Sequence, residues 1–419
     1  MGQTVSGKQP KKRSLWWVVH HWAGLKVSLF LTFILATGTL ATLSHEIDWL
    51  MIPEMRAESE NLPPASWGQM YDSAKAAVPE GRIERISAPY DFFFAAEAIA
   101  LDSSGNRIRV QINPYSADVQ GVTSWFNAQR LFRELHRHLM VPVKVGLPFV
   151  AILSVPMLAS LVTAFWVYKK WWRGFFRLPR LRLPGRGKRM GDARRFTGDL
   201  HRFAGLWSLW FIAVIGVTGL WYLVEWGGGG APGALKPVRN LPVAALDGDK
   251  LDRLVTSAQA AYPTLHVTSL YFPNNKRGGV VVMGQADAVL MRERANAVLV
   301  DPETGQVVQI QKGEDLSVHQ RIAEGSDPLH FGTWAQGHSL SFGVRLLWFA
   351  FGAILTGLGI TGVMIFSMRL KPADRPAKIT EPGFLGDMWR GMGRFRIPAL
   401  LLALLGLAMA AYNISVAIA

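Results

Sequence analysis

The sequence predicts an all-α bundle of transmembrane helices, built as an internal repeat of helix, outer module and helix plus a fifth helix, with two small α+β outer modules. Three observations predict this class: five long apolar runs, alternating charge in the segments between them, and a repeat at constant offset. Half of the 419 residues are hydrophobic and only 18% are charged, whereas soluble globular proteins carry about 25% charged residues. The composition therefore favours an integral membrane protein.

Each of the five apolar runs is long enough to cross a bilayer, which takes about 20 residues. No Asp or Glu lies in the middle of any run. The first run is too long for a signal peptide, and Ser44-His45-Glu46 after it is not a small-x-small cleavage site. The predicted organisation is a cytoplasmic tail 1–14, spans 15–45, 136–168, 201–226, 336–368 and 397–419, outer modules 46–135 and 227–335, and cytoplasmic loops 169–200 and 369–396.

The formal net charge of +15 is concentrated in the tail and the two loops. Residues 169–195 hold eleven basic residues and one acid, whereas residues 46–134 hold eight basic residues and thirteen acids. Because basic residues accumulate on the cytoplasmic side of spans, the N-terminus is predicted to be cytoplasmic and the two modules to lie outside, which is the periplasm if the membrane is a Gram-negative inner membrane. This distribution argues for the lipid bilayer, and against nucleic acid, as the partner of the positive charge.

Each outer module is predicted to contain a helix followed by strands, so that one small fold is used twice. Alternating apolar and polar residues indicate strands, and Asn, Asp, Pro and Gly clusters indicate the turns between them. The four glycines at 227–230 predict a flexible linker. The predicted elements are the helices Ser66–Val78 and Leu251–Ala261 and the strands Arg107–Ile112, Val280–Met283 and Ala297–Val300.

The first and third spans are related by a repeat that includes a histidine. The segment "HHWAGL" from His20 matches "HRFAGL" from His201, and a Thr-Gly pair follows in each, always 181 positions apart. Parallel repeats about an axis along the membrane normal are a known membrane architecture. The chain is therefore predicted to contain two copies of span, outer module and span, followed by one extra span.

Most of the ten histidines lie at the predicted ends of spans, where an ionisable residue is a functional candidate. The chain has no Cys, which excludes Cys-ligated iron–sulfur clusters, thiolate nucleophiles and covalent c-type haem. Two neutral imidazoles from facing helices can hold a b-type haem. Gly24 and Gly205, beside the repeated His20 and His201, would let a flat macrocycle approach the backbone.

Any single histidine at the end of a span is alternatively interpreted as an interfacial residue whose polar tip reaches water. The repeat favours ligation by His20 and His201, whereas His21 has Arg202 as its repeat equivalent and is predicted to be interfacial. At the outer edge the residues alone leave five candidates open. These are His45, His136, His138, His330 and His338.

Four motifs in this order resemble the PepSY-associated transmembrane-helix proteins of bacterial inner membranes. They are "HHWAGLK…TGTLATLSHEIDWL", "ELHRHL", "DLHRFAGLW…GVTGL" and "PLHFGTW…GLGITGVMIF". The resemblance covers most of residues 15–370, and it identifies the outer modules as PepSY-like. The fifth span departs from the four-span siderophore reductases of that family.

The resemblance implies a di-haem reductase of iron–siderophore complexes, with two b-type haems. Carried over to this sequence, it implies that His20 and His201 ligate the inner haem iron and that His136 and His330 ligate the outer one. His45, in "SHEID", is the alternative outer ligand. Arg137, Arg202 and Arg345 at span edges are candidates to pair with haem propionates, or equally with lipid headgroups.

The function expected from these residues is electron transfer across the membrane to a periplasmic ferric siderophore or similar ferric chelate, with release of Fe(II) for uptake. The donor is expected to be a separate cytoplasmic protein or a quinol, because no dinucleotide-binding glycine motif follows a strand. Two alternatives are a non-enzymatic, membrane-anchored PepSY protein that binds or regulates a partner, and an iron-uptake-associated transporter component.

Overall fold

The computed structural model describes residues 14–418, except for 58–62, 180–188, 234, 237, 239–240, 242–243, 274–277, 289, 335–339 and 371–382. The chain forms two compact units, which are described separately. The first comprises Met1–Ala36, Ala151–Leu220 and Phe351–Leu405, and the second comprises Thr37–Val150, Trp221–Ala350 and Gly406–Ala419.

Helices account for most of the described chain. In chain order they are α1 Leu15–Lys26, α2 Ser28–Thr42, α3 Ser44–Met51, α4 Trp67–Ala77, α5 Ala128–His138, α6 Val143–Ala151, α7 Ser154–Val167, α8 Arg189–Trp207, α9 Leu209–Val224, α10 Gly248–Ala261, α11 Val318–Phe331, α12 Ser341–Ser367, α13 Phe384–Met392 and α14 Arg396–Ile418.

Within the described part of the chain, four stretches of helix are long and apolar enough to cross a membrane: Val143–Val167, Leu209–Gly229, Ser341–Ser367 and Phe384–Ala417. A fifth span arises if α1 and α2 together form one crossing. These two helices meet at an angle of 66°, and a further break at Leu43 separates α2 from α3. A single helix over the predicted first span 15–45 is therefore wrong, although apolar helices occur at all five predicted places.

The strands of the second unit form one antiparallel sheet. They are β1 Arg82–Ser87, β2 Ala96–Leu101, β3 Arg107–Ile112, β4 Val119–Ser124, β5 His266–Tyr271, β6 Val280–Gln285, β7 Asn296–Val300 and β8 Val307–Gln311. Their order in the sheet is β4-β3-β2-β1-β5-β6-β7-β8. Each half is a four-stranded meander, and the halves join where β1 pairs with β5, with Ile86 opposite Leu270.

Helices α4 and α10 pack against each other at a pair of glycines. A Cβ on Gly68 would lie 2.2 Å from the carbonyl oxygen of Gly248, and one on Gly248 would lie 2.7 Å from the carbonyl oxygen of Gly68. The backbone N–H of Gly68 donates to Asp252 Oδ1 at 2.8 Å. Both helices contribute to one hydrophobic core with the strands, so the two halves share their sheet and their core.

The helices and strands predicted for the two modules are confirmed within a few residues. The use of one fold twice is confirmed as well, since both halves have a helix followed by a four-stranded meander. Residues 227–229, predicted as a flexible linker, instead continue α9 as a π-helical turn over Glu225–Gly229, with Gly228 at φ 95°. The residue pattern does not predict the pairing of β1 with β5, which joins the two halves of the sheet.

Candidate functional site

The first histidine pair, His20 and His201, lies in the first unit. The Nδ1 of His20 on α1 is 3.1 Å from the carbonyl oxygen of Ser160 and 3.1 Å from Thr163 Oγ1, both on α7. A carbonyl oxygen only accepts hydrogen bonds, so Nδ1 of His20 carries the proton and donates it. The Nε2 of the neutral ring then keeps the lone pair that a metal ion needs.

His201 on α8 has the equivalent arrangement with α12. Its Nδ1 lies 2.9 Å from Thr361 Oγ1. The Thr361 hydroxyl donates its own proton to the carbonyl of Gly357 at 2.8 Å, so its oxygen accepts from Nδ1 of His201. Nε2 of His201 is again the nitrogen with the free lone pair. In both repeats, the histidine of the first span is therefore oriented by a threonine on the second span.

Open space lies beside both members of the first histidine pair. Gly24 and Gly205 follow His20 and His201 by four positions, which places each on the same helix face as its histidine. A Cβ on Gly24 would meet no atom within 4 Å, and one on Gly205 would meet only Leu358 Cδ2 at 3.9 Å. The two glycines thus leave room for a flat macrocycle, which His20 and His201 would hold.

The second histidine pair, His136 and His330, lies in the second unit. His136 is on the last turn of α5 and His330 on the last turn of α11. Their ring centroids are 6.2 Å apart and the ring planes are tilted by 38°. At a metal–imidazole bond length of about 2.0–2.1 Å, two imidazoles on opposite sides of one metal have centroids roughly 6 to 6.5 Å apart. The spacing of this pair therefore fits axial ligation of one iron.

The neighbours of the second pair hold its rings in place. A Cβ on Gly38 would lie 2.6 Å from His136 Cε1, so this ring packs directly on the backbone of α2. Tyr222 contacts His330 edge-on with centroids 5.2 Å apart, and its hydroxyl donates to Asp327 Oδ1 at 2.7 Å. Burial, and then the neighbouring His136, lower the pKa of His330 to about 3. His330 is therefore neutral at physiological pH, the form that binds metals.

The other outer candidates are placed differently. His45 stacks on Tyr90 with centroids 4.0 Å apart, and His138 is buried two residues beyond His136 on α5. His338 lies outside the described residues. Among the four candidates that the structure describes, it therefore brings together His136 and His330. His21, predicted to be interfacial, stacks on Trp17 with ring centroids 4.8 Å apart.

The three candidate arginines differ in whether acidic side chains already pair with them. Arg345 is 1% exposed, and its Nε and Nη2 donate to Glu46 at 2.6 Å and to Asp91 at 3.0 Å. This side chain already has two carboxylate partners, which occupy its guanidinium group. Arg202 pairs with Asp199, and Arg137 is exposed.

Among the residues that the structure describes, no three or more His, Asp or Glu side chains form a group that could hold a bare metal ion. A haem iron has different needs, because the macrocycle supplies four nitrogens and the protein adds only axial ligands. Two histidines at each place are therefore a sufficient donor set for haem.

The orienting partners of the first pair were missed at the level of sequence. Ser160, Thr163 and Thr361 are polar residues within otherwise apolar spans. Such residues often hydrogen-bond across helices in membranes. That signal could have identified them as partners of the repeated histidines, but not which histidine each one contacts.

The apolar helices, the histidines at helix ends and the antiparallel sheet define a multi-pass membrane protein with a repeated, sheet-bearing architecture. The model of one family, the PepSY-associated TM region, matches residues 17–369. The chain belongs to this family, as its sequence motifs predict. No curated protein matches the chain in a sequence comparison.

Proposed function

We propose that the protein is an inner-membrane haem b protein that passes electrons across the membrane and reduces a ferric siderophore or similar ferric chelate outside. The observation that carries the proposal is the orientation of the first histidine pair. Both rings donate from Nδ1 to a partner on a neighbouring helix, which leaves Nε2 of both free to ligate. Metal-bound histidines almost always have such a second hydrogen bond.

In this proposal His20 and His201 hold one haem and His136 and His330 hold the other. When bound, the haems supply reversible one-electron redox chemistry. The chain's own contribution is to fix the rings. Thr163 and Thr361 set the tautomer of the first pair, and Gly38 and Tyr222 restrict the rings of the second pair.

In the proposed overall reaction, one electron reduces one iron. A separate cytoplasmic protein or a quinol gives up one electron for each chelate, and Fe(III) is reduced to Fe(II). Oxygen-donor chelators hold the softer Fe(II) less tightly than the harder Fe(III), so reduction releases the iron for uptake. The excess of basic residues in 169–195 and 369–396 supports an orientation with these segments in the cytoplasm and the sheet in the periplasm.

The test uses full-length protein purified in detergent after expression with adequate haem supply. We expect dithionite to produce a reduced b-type spectrum, and a ferric chelate to reoxidise it with the appearance of one Fe(II) per haem oxidised. The matched control is His266→Ala, an exposed histidine on β5, which should behave like wild type. Reduced haem that no ferric chelate reoxidises would contradict the proposed acceptor.

Protein without haem would instead favour the membrane-anchored binding protein or the transporter component. Both alternatives assign no role to the histidine pairs. They therefore predict that His201→Ala and His330→Ala leave the binding or transport function of the folded protein unchanged.

A further inference from the structure

A small cleft opens on the sheet where its two halves meet. It has a volume of about 270 Å³ and is lined by Arg82, Glu84, Arg85, Ile99, Arg107, Trp125, Tyr271, Phe272 and Pro273. Strands β1, β2 and β3 contribute one side, and residues at the end of β5 contribute the other. The lining combines guanidinium groups with aromatic rings.

Three arginine side chains lie around the ring of Trp125. The guanidinium carbons of Arg107, Arg109 and Arg130 lie 5.5, 4.6 and 4.4 Å from the centroid of the Trp125 ring. Across the cleft, Arg85 lies over the ring of Tyr271 at 5.6 Å and donates to its hydroxyl at 3.1 Å. Each cation is thus held by an aromatic face.

The carboxylates near the cleft do not neutralise these arginines. Glu84 is shared by Arg82 at 3.5 Å and Arg107 at 2.9 Å. Glu97 is likewise shared by two guanidinium groups, those of Arg85 at 3.7 Å and Arg109 at 2.6 Å. Four guanidinium groups therefore face two carboxylates, which leaves an excess of two positive charges.

One further observation shows that a cation at the cleft lacks a partner. The Nε of Arg85 is buried and has no hydrogen-bond partner among the described residues. Arg130, in contrast, forms a salt bridge with Glu134. An unpaired buried N–H donor costs free energy that an incoming acceptor would recover.

We propose that this cleft binds an anionic ferric chelate whose iron donors are catecholate rings, and that one such ring enters between Trp125 and Tyr271. This proposal rests on the proposed function and names its substrate class. A catecholate combines a flat aromatic face with anionic oxygens, which match stacking on Trp125 and pairing with arginine guanidinium groups. A hydroxamate chelate has neither an aromatic ring nor a comparable negative charge.

The size and position of the cleft agree with this assignment. A volume of about 270 Å³ is just below the range of about 300–1,000 Å³ typical of pockets for drug-sized ligands, so it suits one arm of a chelate. Arg130, which contacts Trp125, precedes His136 by six residues on α5. This corresponds to about 9 Å along the helix, so the cleft is linked to the second histidine pair by a short rigid element.

The experiment measures binding separately from reduction. Full-length protein is titrated with gallium(III) tris-catecholate, which resembles the ferric complex but is not reduced, and with a gallium(III) trihydroxamate. We expect the catecholate complex to bind at least about tenfold more tightly, and its affinity to fall as salt rises from about 50 to 300 mM because the contacts are charged. Equal affinity for the two complexes would overturn the proposal.

Variants locate the binding site. Arg107→Gln and Trp125→Leu should each weaken catecholate binding about tenfold, as expected for the loss of one charge-assisted or stacking contact. The Arg107 side chain is 51% exposed, so its replacement should not unfold the sheet. Arg253→Gln, at an exposed position on α10, is the matched control and should bind like wild type. Unchanged affinity in Arg107→Gln and Trp125→Leu would overturn the assignment.

His330→Ala separates this inference from the proposed function. It should keep the affinity for gallium(III) tris-catecholate while it loses reduction of the ferric complex. Haem-free protein that still binds the catecholate through Arg107 would refute electron transfer and support the cleft. Haem-loaded protein that reduces ferric chelates but binds no catecholate would support electron transfer and refute the assignment of the cleft.

Discussion

The two histidine pairs are built in different ways. In the first pair, each Nδ1 donates to a hydroxyl or carbonyl oxygen on a neighbouring helix. In the second pair, His136 packs on the backbone of Gly38, and His330 lies against Tyr222. Hydrogen bonds fix a tautomer, whereas packing fixes ring position. The first pair should therefore be sensitive to the loss of a hydroxyl group and the second to the addition of a methyl group.

The largest expected effect is the loss of one haem at a time. If the proposed assignment holds, His201→Ala would remove a haem ligand of the first pair and His330→Ala would remove one of the second. Each variant should then retain about one of two haems, because ligation by the protein holds a b-type haem. Haem per chain, measured as the pyridine complex, checks this. His266→Ala should retain both. Unchanged haem content in His201→Ala or in His330→Ala would refute the assignment of that site.

Gly38→Ala should affect the second pair alone. The new Cβ would lie 2.6 Å from His136 Cε1, so the ring must move, and overpacking of this kind costs about 1–3 kcal/mol. We expect the second site to lose most of its haem. Gly219→Ala, at the repeat-equivalent position, places a Cβ 3.3 Å from Ser154 Cβ and should have a much smaller effect. Equal haem loss in both variants would contradict the packing argument.

Thr361→Val should affect the first pair alone and weaken haem binding there about tenfold or more, as is typical when an outer partner of a metal-binding histidine is removed. Thr163→Val should have a smaller effect, because His20 also donates to the carbonyl of Ser160. Haem transfer to apomyoglobin compares the two variants. A larger effect of Thr163→Val would contradict the hydrogen-bond assignment.

A last expected effect concerns folding stability and not haem content. It involves Asp48, which accepts hydrogen bonds from the backbone of Ala128 and Gln129 at the start of α5. Burial raises the pKa of Asp48 from 3.8 to about 6. Between these values the folded state binds more protons than the unfolded state, so stability falls as pH rises from about 4 to about 6, by roughly 3 kcal/mol at most.

Asp48→Asn should remove this dependence. Thermal unfolding midpoints of the two proteins, measured between about pH 4 and pH 7, should diverge as the pH falls, with the wild-type protein gaining relative to the variant. Parallel curves would show that Asp48 does not titrate in this range.

The repeat alone sufficed to predict the first pair, because a histidine recurring at an offset of 181 positions is visible in the residues. The residue pattern does not show whether His136 or His138 pairs with His330. Residues two positions apart on a helix point in different directions, and only the packing of α5 shows which one faces His330. The partners Thr163 and Thr361 were likewise hidden, since helix rotation decides which polar residue meets the histidine.

The sheet shows the same division between local and long-range information. Alternation predicted strands such as Arg107–Ile112 and Ala297–Val300, because that pattern is local. The pairing of β1 with β5 joins residues about 180 positions apart, and no local pattern reports it. The cleft at this junction, with Trp125 and Tyr271 on its two sides, was therefore beyond the reach of the sequence alone.

The two histidine pairs are each proposed to hold one haem. The most direct test is the visible spectrum of the purified, full-length protein before and after dithionite, combined with haem quantification per chain. We expect a Soret band, a b-type α-band on reduction and two haems per chain. A protein expressed with ample haem that shows neither band would contradict it.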